Sequence, residues 1–456
     1  MSAATTAAPG AARRVPGPGR GAAPVLLVRM MRNRLSVLAR ASAEYGDAVR
    51  VPLGPKTLYL FNHPEHAKHV LADNAAAYHK GIGQVHARRV MGDGLLTSEG
   101  ETWRRQRRTI QPVFQPKRIA KQFETIAAEA TAFVATLRAA GANGPVNVSE
   151  QLTALTLGVL GRTLLDADLS AFESIGESFA AVQDQAMFEM MSLSAVPMWL
   201  PLPGQIRFRR AQRDLTRVVD QLAADRVARP GGARDDVVSR LVDANAQQPD
   251  PVAGSRRMRD ELVTLLLAGH ETTASTLTWA FELLDRHPDV WHRMHEEAVA
   301  VLGDQPRYED LHRLTYTSMV VEETMRLNPP VWLLPRVAQE PDVIGGYGVP
   351  AGADVVVSPY LLHRHPDYWK EPERFDPERF APGRSTGRER YSYIPFGAGP
   401  RYCVGSSLGL MEAVVVLATV ARELRLETVP GYRVRAEPML TLRVRGGLPM
   451  TVREAG

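Results

Sequence analysis

Cysteine is almost missing: Cys403 is the only one in 456 residues. No intrachain disulfide can form, which fits a reducing compartment and a cytoplasmic protein. Long apolar runs are missing as well. The stretch up to about Pro24 is rich in Ala, Gly, Pro and Arg and contains no acidic residue. It lacks the apolar core of a signal peptide and the roughly 20 apolar residues of a membrane span. Residues 1–24 therefore read as a disordered leader, with a transit peptide as the alternative reading of its basic, acid-free composition. The middle of the chain has no Pro/Gly/Ser linker and no internal repeat, so residues 25–456 are expected to form one domain. Nor is there a large excess of charge. A net charge of +5 without base-reading motifs gives no reason to expect a nucleic-acid partner.

What is present is ordinary globular material, 45% hydrophobic and 23% charged, patterned mainly as helix. Two strands are expected over Val49–Leu53 and Thr57–Phe61, joined by a turn at Gly54-Pro55-Lys56. Residues 79–99, with glycines at 81, 83, 92 and 94, read as irregular. Helical patterns then dominate from Glu101 to about Leu241. The apolar, Pro-rich run from Ala195 to Pro203 reads as a core-facing loop, or else as a lipophilic rim over a ligand entrance or a membrane. A long helix buried on all faces is expected from about Ser255 to Arg286, ended by Pro288. Another covers residues 312–328, and a strand region covers 342–358. Residues 366–402 meander without regular structure, which inside a compact domain usually signals function. The expected class is mainly α with small β-sheets, an α+β fold.

That meander ends at Phe396-Gly-Ala-Gly-Pro-Arg401-Tyr-Cys403-Val-Gly405, where a strongly apolar helix begins. A thiol before a helix N-terminus meets a positive dipole end and outward-pointing N–H groups, which favour its thiolate. Gly399 and Gly405 would let the backbone approach a flat object closely. Arg401 offers a planar fork for a carboxylate. A lone cysteine could instead be an inert core residue, or an acylating nucleophile with a histidine partner. The pattern Phe-x-x-Gly-x-Arg-x-Cys-x-Gly, however, resembles at every specified position the haem-binding signature of the cytochrome P450 family. The resemblance implies the family's fold, one large helical domain around a buried haem b. Cys403 would be the axial iron ligand, Phe396 would pack beside the sulfur and Arg401 would bind a haem propionate.

Three further constellations follow in the family's order. Ala268-Gly-His-Glu271-Thr272-Thr273 cannot be a zinc H-E-x-x-H motif, because Ala274 stands where the second His would be. It is similar to the family's oxygen-pocket motif, which assigns Glu271 and Thr272 to catalytic proton relay. Glu323-x-x-Arg326 with the later Pro-Glu-Arg379-Phe resembles the family's buried Glu–Arg–Arg network, a structural support for the cysteine loop. Trp103 and Arg107 share a helix face, and with Arg336 they resemble the remaining haem propionate ligands. Arg104, Arg105 and Arg108 read as a solvated face that could dock an acidic electron carrier.

The resemblance covers about residues 45–450 and implies a soluble bacterial type: monomeric, without a transmembrane anchor, and without a fused reductase after Gly456. Electrons would come from NAD(P)H through a ferredoxin or flavodoxin with its reductase. The expected activity is insertion of one oxygen atom from O2 into a lipophilic small molecule in secondary metabolism. A terpenoid is the first expectation for that substrate, a fatty acid or polyketide the next. Alternatives are a haem-thiolate peroxygenase or isomerase, and a haem-based ligand sensor. By the same resemblance, residues 79–99, Met187–Leu200, Leu265–Thr272 and Val331–Leu334 would wall the substrate pocket, with Met187, Phe188, Met190, Met191, Trp199 and Trp332 suited to a lipophilic ligand.

Overall fold

A computed structural model describes residues 12–54, 56–169, 175–192, 196–228, 236–246, 250–303 and 306–455. The chain divides into two compact units. The first runs up to Ile82 and adds Leu333–Pro372 and Arg388–Tyr402. The second consists of Gly83–Trp332, Glu373–Gly387 and Cys403–Gly456.

The first unit is built on strands. β1 (Arg13–Arg14) is followed by helices α1 (Ala23–Arg32) and α2 (Arg34–Tyr45), then β2 (Ala48–Leu53), β3 (Lys56–Phe61) and β4 (Tyr78–Lys80). Later segments supply β5 (Leu334–Ala338), β6 (Asp342–Ile344), β7 (Tyr347–Val349) and β8 (Asp354–Val357). One sheet has the order β2-β3-β8-β5-β4, the other β1-β7-β6. The expected β2–β3 hairpin forms, paired Val49 to Leu60 and Val51 to Leu58, although Pro55 of its turn lies outside the described residues. The central strand β8 is buried along its whole length, as its continuous Val355-Val-Val357 run requires. Phe61, Leu71, Tyr78, Val355 and Val357 share one apolar core with Val15.

Part of the supposed leader is therefore ordered. Residues 1–11 lie outside the described residues, but Arg13 and Arg14 pair with Tyr347 and Gly348, and Val15 is buried. Burying one valine and joining a strand edge is enough to fix this segment, which composition alone made look featureless.

The second unit is helical. Its elements for the site are α3 (Gln84–Met91), α4 (Gly100–Ile110), α5 (Ile175–Met191), α6 (Pro251–Arg286), α7 (Thr315–Leu327) and α8 (Ser406–Glu423), with a hairpin of β9 (Ala436–Pro438) and β10 (Leu442–Val444). At 36 residues α6 is about 54 Å long. It starts four residues earlier than expected because Asp250 caps it, accepting from the Ala253 N–H at 3.2 Å. Leu262, Val263, Leu265, Leu266 and Leu267, which between them point to several faces, are all buried, whereas Ala268 is exposed. α8 is buried continuously from Met411 to Ala421.

Two expectations need correcting. Residues 79–99 are irregular only in part: they hold the end of β4 and all of α3, while 81–83 and 92–99 have no regular structure. Gly83 and Gly92, at φ 92° and 78°, are the ends of α3, so these glycines are punctuation rather than disorder. The Pro-rich run is not core-facing either. Residues 193–195 lie outside the described residues, but Trp199 is 74% exposed.

Candidate functional site

In the first unit the loop approaching the cysteine ends in a short turn, Gly399–Arg401. Gly399 has φ 65°, and a Cβ there would strike the Leu71 carbonyl. This glycine is thus required by the unit's own backbone, whatever a ligand would also ask of it. Phe396 is half-buried with its ring tilted against Tyr402, 6.3 Å between centroids. Arg401 is half-buried. Arg336 is buried on β5, where its Nη1 donates to the Pro335 carbonyl at 2.9 Å. A Cβ on Gly81 of the adjoining chain would meet the Arg336 backbone at 2.6 Å.

Cys403 opens the last segment of the second unit, three residues ahead of α8. A backbone hydrogen bond from Gly405 and the charge of Arg107 both favour its thiolate, as the helix-end position suggested. Burial outweighs them and pushes the thiol above its ordinary range. The side chain is nevertheless open to solvent on one side, with protein packed around the rest. The expectation of a ready thiolate is corrected accordingly, and no histidine is among the groups acting on it, so the acylating-nucleophile reading loses its base. A sulfur of this kind suits a metal ion, whose own charge removes the thiol proton. Gly405 supports the same fit. A Cβ there would meet only the Phe114 ring at 3.6 Å, an ordinary contact. Nothing in the protein's packing demands glycine at that position, whereas a flat ligand lying on the backbone would. Arg107 stands over the Trp103 ring at 5.9 Å, and Arg104 and Arg108 reach Glu101 on the exposed face of α4. The donor set fits a haem held by its iron on one sulfur.

On α6, Thr272 donates to the Ala268 carbonyl at 3.0 Å, so its hydroxyl is back-bonded to the helix. Glu271 points elsewhere. It accepts from Thr441 Oγ1 at 2.7 Å and from Gln183 Nε2, and Gln183 Oε1 in turn accepts from Arg443 at 3.2 Å. Burial raises the Glu271 carboxyl; the Thr441 bond and the Arg443 charge oppose that rise. His270, fully buried against Phe179, is held neutral by burial, with its pKa lowered to about 4. Gln183, Thr441 and Arg443 escaped sequence reasoning. They stand 88 and 170 or more residues from Glu271, and the only available signal was an unusual run of polar residues on α5, of which Gln183, Gln185 and Glu189 are buried.

The third constellation assembles as the sequence implied. Arg326 clasps Glu323 with both ends of its fork, Nε to Oε2 at 2.7 Å and Nη2 to Oε1 at 2.9 Å. Arg379 stands 3.3 Å from Glu323 Oε1, and the Asp376 N–H donates to that oxygen at 2.9 Å. Arg326 also donates to the Arg374 carbonyl at 3.1 Å. Two points of the meander are thereby tied to α7.

The residues expected along the substrate pocket divide. Met187 is buried and Phe188 is 37% exposed on α5, while the side chains of Met190 and Met191 lie outside those described. Trp332 is buried with its indole N–H on the Met439 carbonyl at 2.9 Å, so it behaves as a satisfied core residue. Among the described residues no three His, Cys, Asp or Glu side chains are grouped to hold a metal ion, and no helix is long and apolar enough to cross a membrane.

Comparison with known proteins identifies the family. The cytochrome P450 family profile matches residues 16–446. The chain is 39% identical over 422 residues to cyclooctatin synthase of Streptomyces melanosporofaciens, covering 91% of this chain and 90% of that protein. Cyclooctat-9-en-7-ol 5-monooxygenase of the same organism is 36% identical over 420 residues, covering 91% and 90%. Pentalenene oxygenase of Streptomyces avermitilis is 32% identical over 434 residues, covering 94% and 95%. With the family profile matching nearly the whole length and relatives above 30% identity covered to nine tenths, this chain belongs to the cytochrome P450 family.

Proposed function

We infer that the protein is a haem-thiolate monooxygenase that hydroxylates or epoxidises a terpenoid in bacterial secondary metabolism. The observation that carries the chemistry is Cys403 itself: a solvent-accessible thiol three residues ahead of α8, with an arginine and a backbone N–H favouring its charge and a bare glycine beside it. The substrate class rests on the likeness to proteins named for cyclooctatin and pentalenene.

In this reading Cys403 would hold the haem iron through its sulfur, with Phe396 beside it, and Trp103, Arg107, Arg336 and Arg401 would pair with the propionates. The chemistry the haem would supply there is activation of O2, helped by electron donation from the thiolate. The protein supplies the protons. Thr272 presents a hydroxyl on α6, and Glu271, whose carboxyl burial raises, offers a group that takes up and gives back a proton between Thr441 and Gln183. Turning from those neutral partners toward Thr272 would pass the proton on. Electrons come from NAD(P)H through a separate ferredoxin or flavodoxin and its reductase, and the enzyme works as a monomer in the cytoplasm.

The first test is the reduced-CO difference spectrum. Cys403→Ser should lose the red-shifted band that thiolate ligation gives, while its circular dichroism stays that of the parent; a persistent band rules out this ligand. Spin-shift titration with terpene, fatty-acid and macrolide panels then tests the substrate class. Tight shifts with polar macrolides alone would sink the terpenoid reading.

A further inference from the structure

α1 is an oddity in a folded protein: of its ten residues only Ala23 is buried. Val25 is 54% exposed, Leu27 40%, Val28 44% and Met31 53%. Helical periodicity sorts these side chains. Ala23, Leu26 and Met30 fall on the side that meets the unit, consistent with α1 packing on β2 and α2. Pro24, Leu27, Val28 and Met31 form one contiguous strip facing outward. Arg29 and Arg32, both exposed, run along one edge of it. The helix is fixed in this pose at its C-terminal end, where the Asn33 N–H donates to the Arg29 carbonyl at 2.8 Å and the Asn33 side chain caps α2 at 3.0 Å.

The surrounding charge is one-sided. From Met1 through Ala43 there is no Asp or Glu, while arginines stand at 13, 14, 20, 29, 32, 34 and 40. Arg13 is engaged with Tyr347 and the Gly345 carbonyl, but Arg20, Arg29, Arg32 and Arg40 are exposed.

We propose that the outward face of α1 docks on an anionic lipid bilayer, lying in the interface plane with its apolar strip in the acyl boundary and Arg29 and Arg32 among the headgroups. A bilayer satisfies both halves of the surface at once: hydrocarbon for the strip, and negative headgroups for the arginines, whose stems extend along apolar surface while their heads stay wet. An acidic protein would meet the arginines and leave the strip unmatched. A second copy related by two-fold symmetry would match the strip but bring Arg29 and Arg32 toward their own counterparts. Attachment of this kind is peripheral and reversible, because one helix about 15 Å long buries little apolar area. It does not depend on the monooxygenase reading, so it stands or falls separately.

The test is flotation of the full-length, haem-loaded protein with vesicles of phosphatidylcholine alone or mixed with phosphatidylglycerol. Binding should require the anionic lipid and weaken with salt. Arg29→Gln/Arg32→Gln should weaken it by about 25-fold, at roughly fivefold per arginine. Val28→Glu/Met31→Glu should abolish it, with unchanged circular dichroism and reduced-CO spectra, since all four residues are exposed. Equal flotation of the parent and Val28→Glu/Met31→Glu overturns the proposal. So does a parent dimer in light scattering that this double variant dissociates while neither protein binds vesicles, which would make the face a self-interface.

Discussion

Glu323 and Glu271 both lie inside the helical unit, and they are accommodated in opposite ways. Burial pushes each carboxyl up. At Glu323 the response is charge: Arg326 grips both oxygens, Arg379 stands at 3.3 Å, and the Asp376 N–H adds a third direction. At Glu271 the direct partners are neutral, Thr441 and Gln183, and the nearest arginine, Arg443, acts at one remove through Gln183. The difference teaches what each site can do. A carboxylate clamped by two guanidinium groups is expensive to disturb and holds distant chain segments together. One held by a hydroxyl and an amide can change protonation or turn away at small cost, because its partners lose no counter-charge. The first arrangement is a lock; the second is the proton store that the proposed function calls for.

Breaking the lock should have the largest effect. Arg326→Ala leaves Glu323 buried without its clasp and should lower stability by about 3–5 kcal/mol, seen as a lower guanidinium midpoint together with poor haem retention on purification. His270, on the same helix turn as Glu271, sharpens the contrast from another side. Its pKa of about 4 lies below the ordinary 6.5, so the unfolded chain binds the proton more tightly. Stability should fall as pH drops from 6.5 toward 4, by up to about 3 kcal/mol. His270→Asn should flatten that slope in thermal melts across the same window, and an unchanged slope means another group is responsible. A smaller effect is expected from Thr441→Val, about 1 kcal/mol for one lost hydrogen bond, with the pH dependence of turnover displaced because Glu271 loses a partner that favours its charge. Smallest in stability is Glu271→Gln, because the new amide keeps its oxygen on Gln183 Nε2 and turns its N–H to the Thr441 hydroxyl, which can accept as well as donate. Its cost should appear in catalysis, as reductant consumed without product. If Glu271→Gln destabilised the fold as much as Arg326→Ala, the distinction between lock and store would collapse.

Much of this was legible in the sequence. The Cys403 loop, Glu323-x-x-Arg326 and Glu271-Thr272 are local spacings, and a local spacing survives without knowledge of what packs against it. The long helix was also readable, because apolar residues on every face can only be buried. The misreadings share a cause. Gly83 and Gly92 looked like irregular chain, yet they bound α3, and the close approach of Leu71 to Gly399 was not foreseen at all. A glycine announces that backbone geometry is unusual without saying which neighbour imposes it. Trp199 looked like core, and its 74% exposure could not be inferred from being apolar.

By itself, then, the sequence determined the chemistry that one short segment can carry: a lone thiol before a helix, a hydroxyl beside an acid, an acid three residues from a base. Tertiary structure alone decided their states. Whether the Cys403 thiol is raised or lowered depends on how much protein surrounds it, and burial won over the helix end and Arg107. Whether Glu271 faces Thr272 or Gln183 and Thr441 depends on residues 88 and 170 positions away. Protonation and orientation are set by burial and by partners brought from elsewhere in the chain, and those are properties of packing that no local pattern encodes.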